Sequence, residues 1–355
     1  MDCMTMDNHK RLLASIVQDA VAINASDIHV APSSVSYRIH GEVMPTGHVV
    51  DVDLMEAILS AQTDGRDIER ARAALAGPEG AADFAVTVNG QRLRVNVYRW
   101  HEGLGAALRP LPQSVPDADI LGIPTHIPEL ILRMQRGLVL VNGPTGSGKS
   151  TTLNCLIECI NVHRLDNIIT IEEPIEYLYQ PKRSTIRQRE VGRDVNSFSE
   201  ALRSALRQNP NVIVVGEIRD YQTLQAALQG AETGHLVFGT LHTSDASSTV
   251  SRIINMAPSS EEREIRSVLA ASLRLVICQR LYKRCDEPGR VAGREVLINN
   301  TAIAALIREG KDHQISSALT THRKEGMSDW RSSLNELYQA GLIDRETFES
   351  EINPM

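Results

Sequence analysis

Aromatic residues are scarce, at 4% of 355 positions, so any core must rest on Leu, Ile, Val and Ala. Long apolar runs are missing: none nears the roughly 20 residues that span a bilayer, which excludes a helical membrane span. Met1 to Leu13 carry acids and no long apolar segment, so they do not read as a secretory signal, and the expectation is a cytoplasmic protein. Basic excess is missing too. Lys and Arg number 37 against 44 Asp and Glu, a net charge of −7, with a pI near 5.9. That balance argues against a dedicated nucleic-acid binder but leaves room for a small basic patch. The five cysteines, Cys3, Cys155, Cys159, Cys278 and Cys285, contain no C-x-x-C pair, so the spacing of a structural zinc site is absent. Cys155 and Cys159 lie one helical turn apart, but two thiolates alone hold a metal poorly, and they read as reduced core thiols. No internal repeat and no low-complexity tract interrupts the chain.

What is present centres on Gly137 to Leu153, GLVLVNGPTGSGKSTTL. The apolar run Leu138-Val139-Leu140-Val141 predicts a buried strand. Gly143-Pro144-Thr145-Gly146-Ser147-Gly148-Lys149-Ser150 then fits G-x-x-x-x-G-K-[ST], and Thr151 onward continues without a breaker as a helix. Glycines let successive backbone N–H groups turn toward a phosphate, and the helix N-terminus adds about half a positive charge. Lys149 can reach the β- and γ-phosphates and the Ser150 hydroxyl can ligate Mg²⁺. The alternative, an ordinary Gly-rich turn, is disfavoured by the complete motif between strand and helix.

Before this loop, residues 9 to 24 show a helical apolar face of Leu12, Leu13, Ile16, Val17, Ala20, Val21 and Ile23. Short strands are expected at Ile28–Val30 and Val35–Ile39, and helices at Asp53–Gln62 and Asp67–Leu75. Asp83 to Tyr98 folds back through Asn89-Gly90, the strongest short hairpin signal, and Ala106–Arg109 adds a last strand. Residues 1–110 thus read as an α+β domain. Residues 111–120, with Pro112 and Pro116 and no periodicity, read as a linker. Residues 121–260 alternate strands (Asn167–Ile171, Asn211–Glu217, His235–His242) with helices (Phe198–Arg207, Gln222–Glu232). Such alternation implies a parallel α/β sheet with its site at the carboxyl ends of the strands. From residue 261 to 355 the spacing predicts a helical region, including one helix over Ile265–Leu281.

Cleaving a γ-phosphate requires a metal, an oriented water and positive charge on the transition state. Glu217 ends the apolar strand at which a second acid holds the metal through water, and Glu replaces the commoner Asp there. Glu172, Glu173 and Glu176 follow another strand; any of them can orient water, or all can be a solvated turn. His235 and His242 bracket one strand at a spacing that puts them on opposite faces, so one can sense the γ-phosphate while the other is structural. Arg94, Arg99, Arg109, Arg189, Arg193, Arg203 and Arg207 are all available as a phosphate-reaching arginine, and composition does not choose.

The loop, then ITIEEPIEY, QREVGRDVNSFSEALRSALRQNPNVIVVGEIRD and AETGHLVFGTLHT, resemble the secretion ATPases of type IV pili and type II secretion, within them the pilus-retraction (PilT) type. ASDIHV, YRIHGEV, RLRVNVYR and ALRPLP resemble that family's first domain, so the likeness covers nearly the whole chain. The resemblance implies a PAS-like first domain, a RecA-like P-loop ATPase domain, and a homohexamer that binds ATP and Mg²⁺ between the two domains of each subunit. It implies Glu176 as catalytic glutamate, Glu217 as the acid acting on Mg²⁺, His235 and His242 as a histidine box, and Arg94 and Arg109 as arginines that reach phosphates. The implied work is pilus retraction through an inner-membrane platform protein, from the cytoplasmic face of that membrane. Three stretches depart from the family pattern: Glu172-Glu173-Pro174 for Glu-Asp-Pro, Glu102-Gly103 for Arg-Gly, and Ala302 to Glu309 for AIRNLIRE. The chain lacks the long N-terminal domain and tetracysteine insert of extension ATPases, which favours the retraction type or a related plasmid or secretion-system version. The competing readings are an assembly motor, a nucleic-acid translocase on the same core, and a nucleotide-gated scaffold without turnover.

Overall fold

A computed structural model of the chain describes residues 3–39, 41–48, 54–61 and 65–352. Two compact units emerge, Met1–Ser114 with Pro174–Leu178, and Val115–Glu173 with Tyr179–Met355.

In the first unit α1 (Cys3–Ala22) precedes β1 (Asp27–Ala31), β2 (Ser34–Ile39), β3 (Glu42–Pro45), α2 (Leu54–Ser60), α3 (Gly65–Ala76), β4 (Ala81–Val88), β5 (Gln91–Trp100) and β6 (Gly103–Pro110). The strands form an antiparallel sheet in the order β3-β2-β1-β6-β5-β4. Asn89 and Gly90 both take positive φ, 47° and 82°, the geometry a two-residue hairpin turn demands and these two residues tolerate. Leu13, Ile16, Val17 and Ala20 of α1 are buried with Leu93, Val95, Val97 and Leu108 of the sheet. Val21 and Ile23, read as part of the same apolar face, are exposed instead. Of the expected helix Asp53–Gln62, both end residues lie outside the described residues.

The second unit holds α4 (His126–Arg133), β7 (Gly137–Asn142), α5 (Lys149–His163), β8 (Asn167–Glu172), β9 (Thr185–Glu190), α6 (Phe198–Ala205), β10 (Val212–Val215), α7 (Tyr221–Glu232), β11 (Leu236–Leu241) and α8 (Ala246–Met256). There follow α9 (Glu262–Ser272), β12 (Leu273–Lys283), β13 (Arg290–Ile298), α10 (Thr301–Arg308), α11 (Ile315–Thr321), α12 (Trp330–Gln339) and α13 (Arg345–Ile352). The sheet order is β13-β12-β7-β11-β10-β8-β9, parallel except for β13. Helices cover both faces. Leu138 and Leu140 of β7 point into one core and Val139 and Val141 into the other. A strand buried on both sides reads as an unbroken apolar run, which is why these strands are visible in the sequence.

The helical reading of 261–355 requires correction in its first third. The helix begun at Glu262 stops at Ser272, and Leu273–Lys283 runs as a strand beside β7, followed by β13. Leu269, Leu273, Val276 and Ile277 satisfy a helical spacing, but the segment is equally a two-face-buried strand, and no Gly, Pro or Asn marks the junction. The helical part starts at Thr301.

Glu295 of β13, 4% exposed, accepts the Ala246 backbone N–H at the start of α8 at 2.7 Å. Burial pushes its carboxyl up from 4.5 to about 7, with Asp245 and Asp329 adding to the rise against the Ala246 hydrogen bond. The folded chain therefore keeps this proton over a range in which the unfolded chain has released it, and stability falls as pH climbs from 4.5 to about 7. Glu295→Gln keeps an oxygen for Ala246 and removes the titration. Its melting temperature, followed by differential scanning calorimetry, is expected to stay flatter than that of the parent across this interval; parallel curves would contradict the assignment.

Candidate active site

The parallel register brings the ends of β7, β8, β10 and β11 to one edge, with Asn142 opposite Leu241 and Val215 opposite Ile171. From that edge emerge Gly143 after β7, Glu173 after β8, Glu217 after β10 and His242 after β11. Gly143, Gly146 and Gly148 have φ of 145°, 78° and 82°, so the loop between β7 and α5 runs through conformations that side chains disfavour. No side chain caps the N-terminus of α5, and its first turn holds no acid. The Ser147 hydroxyl oxygen is buried without a hydrogen-bond partner. Pro144, Thr145, Gly146 and Ser150 are exposed, while Thr151 is half-buried in the first turn of α5. An uncapped helix end, an unpartnered buried hydroxyl and a glycine-lined concavity fit an anionic phosphate.

Lys149 lies across this loop. Its Nζ donates to the carbonyls of Gly143 at 2.9 Å and Pro144 at 3.0 Å, and stands 3.4 Å from His242 Nδ1. The other ring nitrogen of His242 is 2.9 Å from Glu217 Oε1. Arg219 contacts Glu217 Oε2 at 2.8 Å and Glu173 Oε2 at 3.0 Å. Burial alone would raise the Glu217 carboxyl; the hydrogen bond and charge of Arg219, with His242, outweigh it and hold it below the ordinary value. Lys149, His242, Glu217, Arg219 and Glu173 therefore form one connected polar row along the strand ends. Arg219 was missed in the sequence because its role depends on Glu217 and Glu173 meeting, and they belong to different strands. Glu172 is drawn away: its Oε1 accepts from Thr170 at 2.6 Å and Gln188 at 3.0 Å.

His235 is not in this row. It precedes β11, at the opposite edge of the sheet, where Gly137 N donates to its carbonyl and its Nδ1 meets the Gly230 carbonyl at 3.0 Å. One strand of six residues at about 3.3 Å each separates the edges, so His235 lies a strand's length from the phosphate loop of its own chain. Glu176, Arg94 and Arg109 belong to the first unit. Arg94 and Arg109 are cross-strand partners on β5 and β6. Arg94 Nη1 is 3.9 Å from Glu176 Oε1, and Arg109 is 2.9 Å from Asp27 Oδ1. Among the described residues no group of three or more His, Cys, Asp or Glu side chains converges as a metal cage. A Mg²⁺ ion here would depend on the Ser150 hydroxyl and phosphate oxygens, as this ion usually does. No described helix is long and apolar enough to cross a membrane.

Residues 5–343 match the family described as Type II/IV secretion system protein. The chain is 46% identical over 265 residues to the type IV pilus retractation ATPase PilT of Pseudomonas aeruginosa, across 74% of this chain and 76% of that one. It is 42% identical over 323 residues to the uncharacterized protein YggR of Escherichia coli, across 90% and 96% of the two chains. The crystal structure of the pilus retraction motor PilT with bound ADP matches with a TM-score of 0.85 at 40% identity, over 97% of each chain. A phosphate-fitting loop, a lysine–histidine–glutamate row at the strand ends and these likenesses converge: the chain belongs to the type II/IV secretion ATPase family.

Proposed function

We propose that the protein is an ATP-hydrolysing motor, acting as a homohexamer, that powers retraction of a type IV pilus through an inner-membrane platform protein. The observation that carries the hydrolytic part is the chain of contacts from Lys149 through His242 to Glu217 at the mouth of the phosphate loop. Gly143 to Ser150 cradle the phosphates with backbone amides, and Lys149 exchanges its carbonyl partners for β- and γ-oxygens. Ser150 and, through water, Glu217 would hold Mg²⁺, which when bound would supply Lewis-acid neutralisation of phosphate charge. His242, fixed between Lys149 and Glu217, reports the γ-phosphate to the acid. Glu176 takes the proton from the attacking water, and Arg94 and Arg109 supply further positive charge. The retraction part is supported by the extended identity to PilT. The site of work is the cytoplasmic face of the inner membrane.

The test is fibre imaging. Cells deleted for the gene are expected to carry fibres that do not shorten; the wild-type chain restores shortening and Lys149→Ala does not. Bald deletion cells would instead mark an assembly motor, and fibre dynamics unchanged by deletion would remove the pilus role.

A further inference from the structure

Beneath the phosphate loop lies the β12–β13 hairpin, and it carries two polar side chains among apolar neighbours. Gln279 of β12 is 2% exposed and Arg294 of β13 is 6% exposed. They face each other in register, close to Ile277 and Val296, which are core. Arg294 Nε donates to Gln279 Oε1 at 2.8 Å, and its Nη1 and Nη2 donate to the carbonyls of Gly122 and Leu121 at 2.8 and 2.7 Å. Thr152, in the first turns of α5, donates to the same Gln279 oxygen at 2.8 Å. Gln279 Nε2 then donates to the Ser147 carbonyl at 2.6 Å.

This arrangement has one orientation. A guanidinium only donates, so Gln279 must turn its oxygen to Arg294 and its nitrogen to the loop. The loop also rests on Gln279 directly: a Cβ at Gly148 would stand 2.8 Å from Nε2, and one at Gly143 would collide with the Gln279 carbonyl. Arg294 is held by an amide oxygen and two carbonyls, with no carboxylate ion pair among the described residues, although a buried cation is costly. Burial lowers its pKa to about 10, which still leaves it charged at neutral pH.

A planar trans peptide points its C=O and the next N–H in opposite directions. Drawing the Ser147 carbonyl toward the hairpin therefore aims the Gly148 N–H away from it. We infer that Gln279, oriented by Arg294, is a positioning residue for the phosphate loop, holding the Ser147–Gly148 peptide in the attitude that presents an amide to phosphate. The inference rests on the proposed ATP site and adds to it a support more than a hundred residues away in sequence.

The experiment measures the affinity of the full chain for a fluorescent ADP with Mg²⁺, and separately its melting temperature without nucleotide, for Gln279→Glu and Gln279→Met. In Gln279→Glu the new acid pairs with Arg294, so melting is expected to hold, while the Ser147 carbonyl now meets an acceptor and affinity falls about tenfold. Gln279→Met is neutral and close in volume, cannot donate, and is expected to lose affinity by about the same factor. Wild-type affinity in both variants overturns the inference, as does a loss confined to Gln279→Glu, which is a charge effect, or a loss that only tracks melting. A wild-type chain that binds no nucleotide overturns the ATP reading and this inference with it; binding by wild type and undiminished binding by the variants overturns the inference alone.

Discussion

Lys149→Ala is expected to lower ATP hydrolysis by at least about 10² to 10³, the loss usual when one preorganised donor to developing charge is removed. The ammonium is the charged donor seated on the loop, touching the Gly143 and Pro144 carbonyls and His242. It lies at the mouth and not in the core, and Pro144 is exposed, so its loss leaves water able to reach the carbonyl of that residue. The melting temperature without nucleotide should stay close to that of the parent. Phosphate release from purified protein is the measurement, and hydrolysis within tenfold of wild type would remove the loop from the mechanism.

Glu176→Gln should separate binding from turnover. The amide keeps the shape and loses the proposed base, so kcat is expected to drop by about 10² to 10⁴ while ADP affinity changes little. The choice of Glu176 over its neighbours has a physical basis. Glu172 is buried and bonded to Thr170 and Gln188, and Glu173 is paired with Arg219 at 3.0 Å. Among the described residues Glu176 has only a long 3.9 Å approach from Arg94, and its side chain is 30% exposed, so its lone pairs remain available to water. Glu173→Gln is the control and should cost much less. Equal turnover in wild type and Glu176→Gln, measured on the same preparation, would transfer the base to another acid.

Much of the fold was legible because its signals are local. Strand β7, the glycine loop and α5 are contiguous, and β8, β10 and β11 each announce themselves as apolar runs bounded by polar residues. The Asn89-Gly90 turn encodes its hairpin in two residues. Strand β12 failed the same reading because its apolar spacing also fits a helix and nothing punctuates the join to α9. Strand β13, with Arg294 and Glu295 among its buried residues, breaks the apolar pattern that would have revealed it.

The site divides in the same way. The sequence by itself determined the phosphate loop, its lysine and the acids and histidines available to it, since a backbone cradle is built from consecutive residues. Tertiary structure decided which of those acids and histidines reach the loop. Strand direction sends His242 to the loop edge and His235 to the far one, and register joins Glu217 to Arg219, Glu173 and His242. It also set Gln279 and Arg294 under Ser147, a juxtaposition no local pattern contains, because hydrogen bonds between distant strands exist only once the sheet has formed.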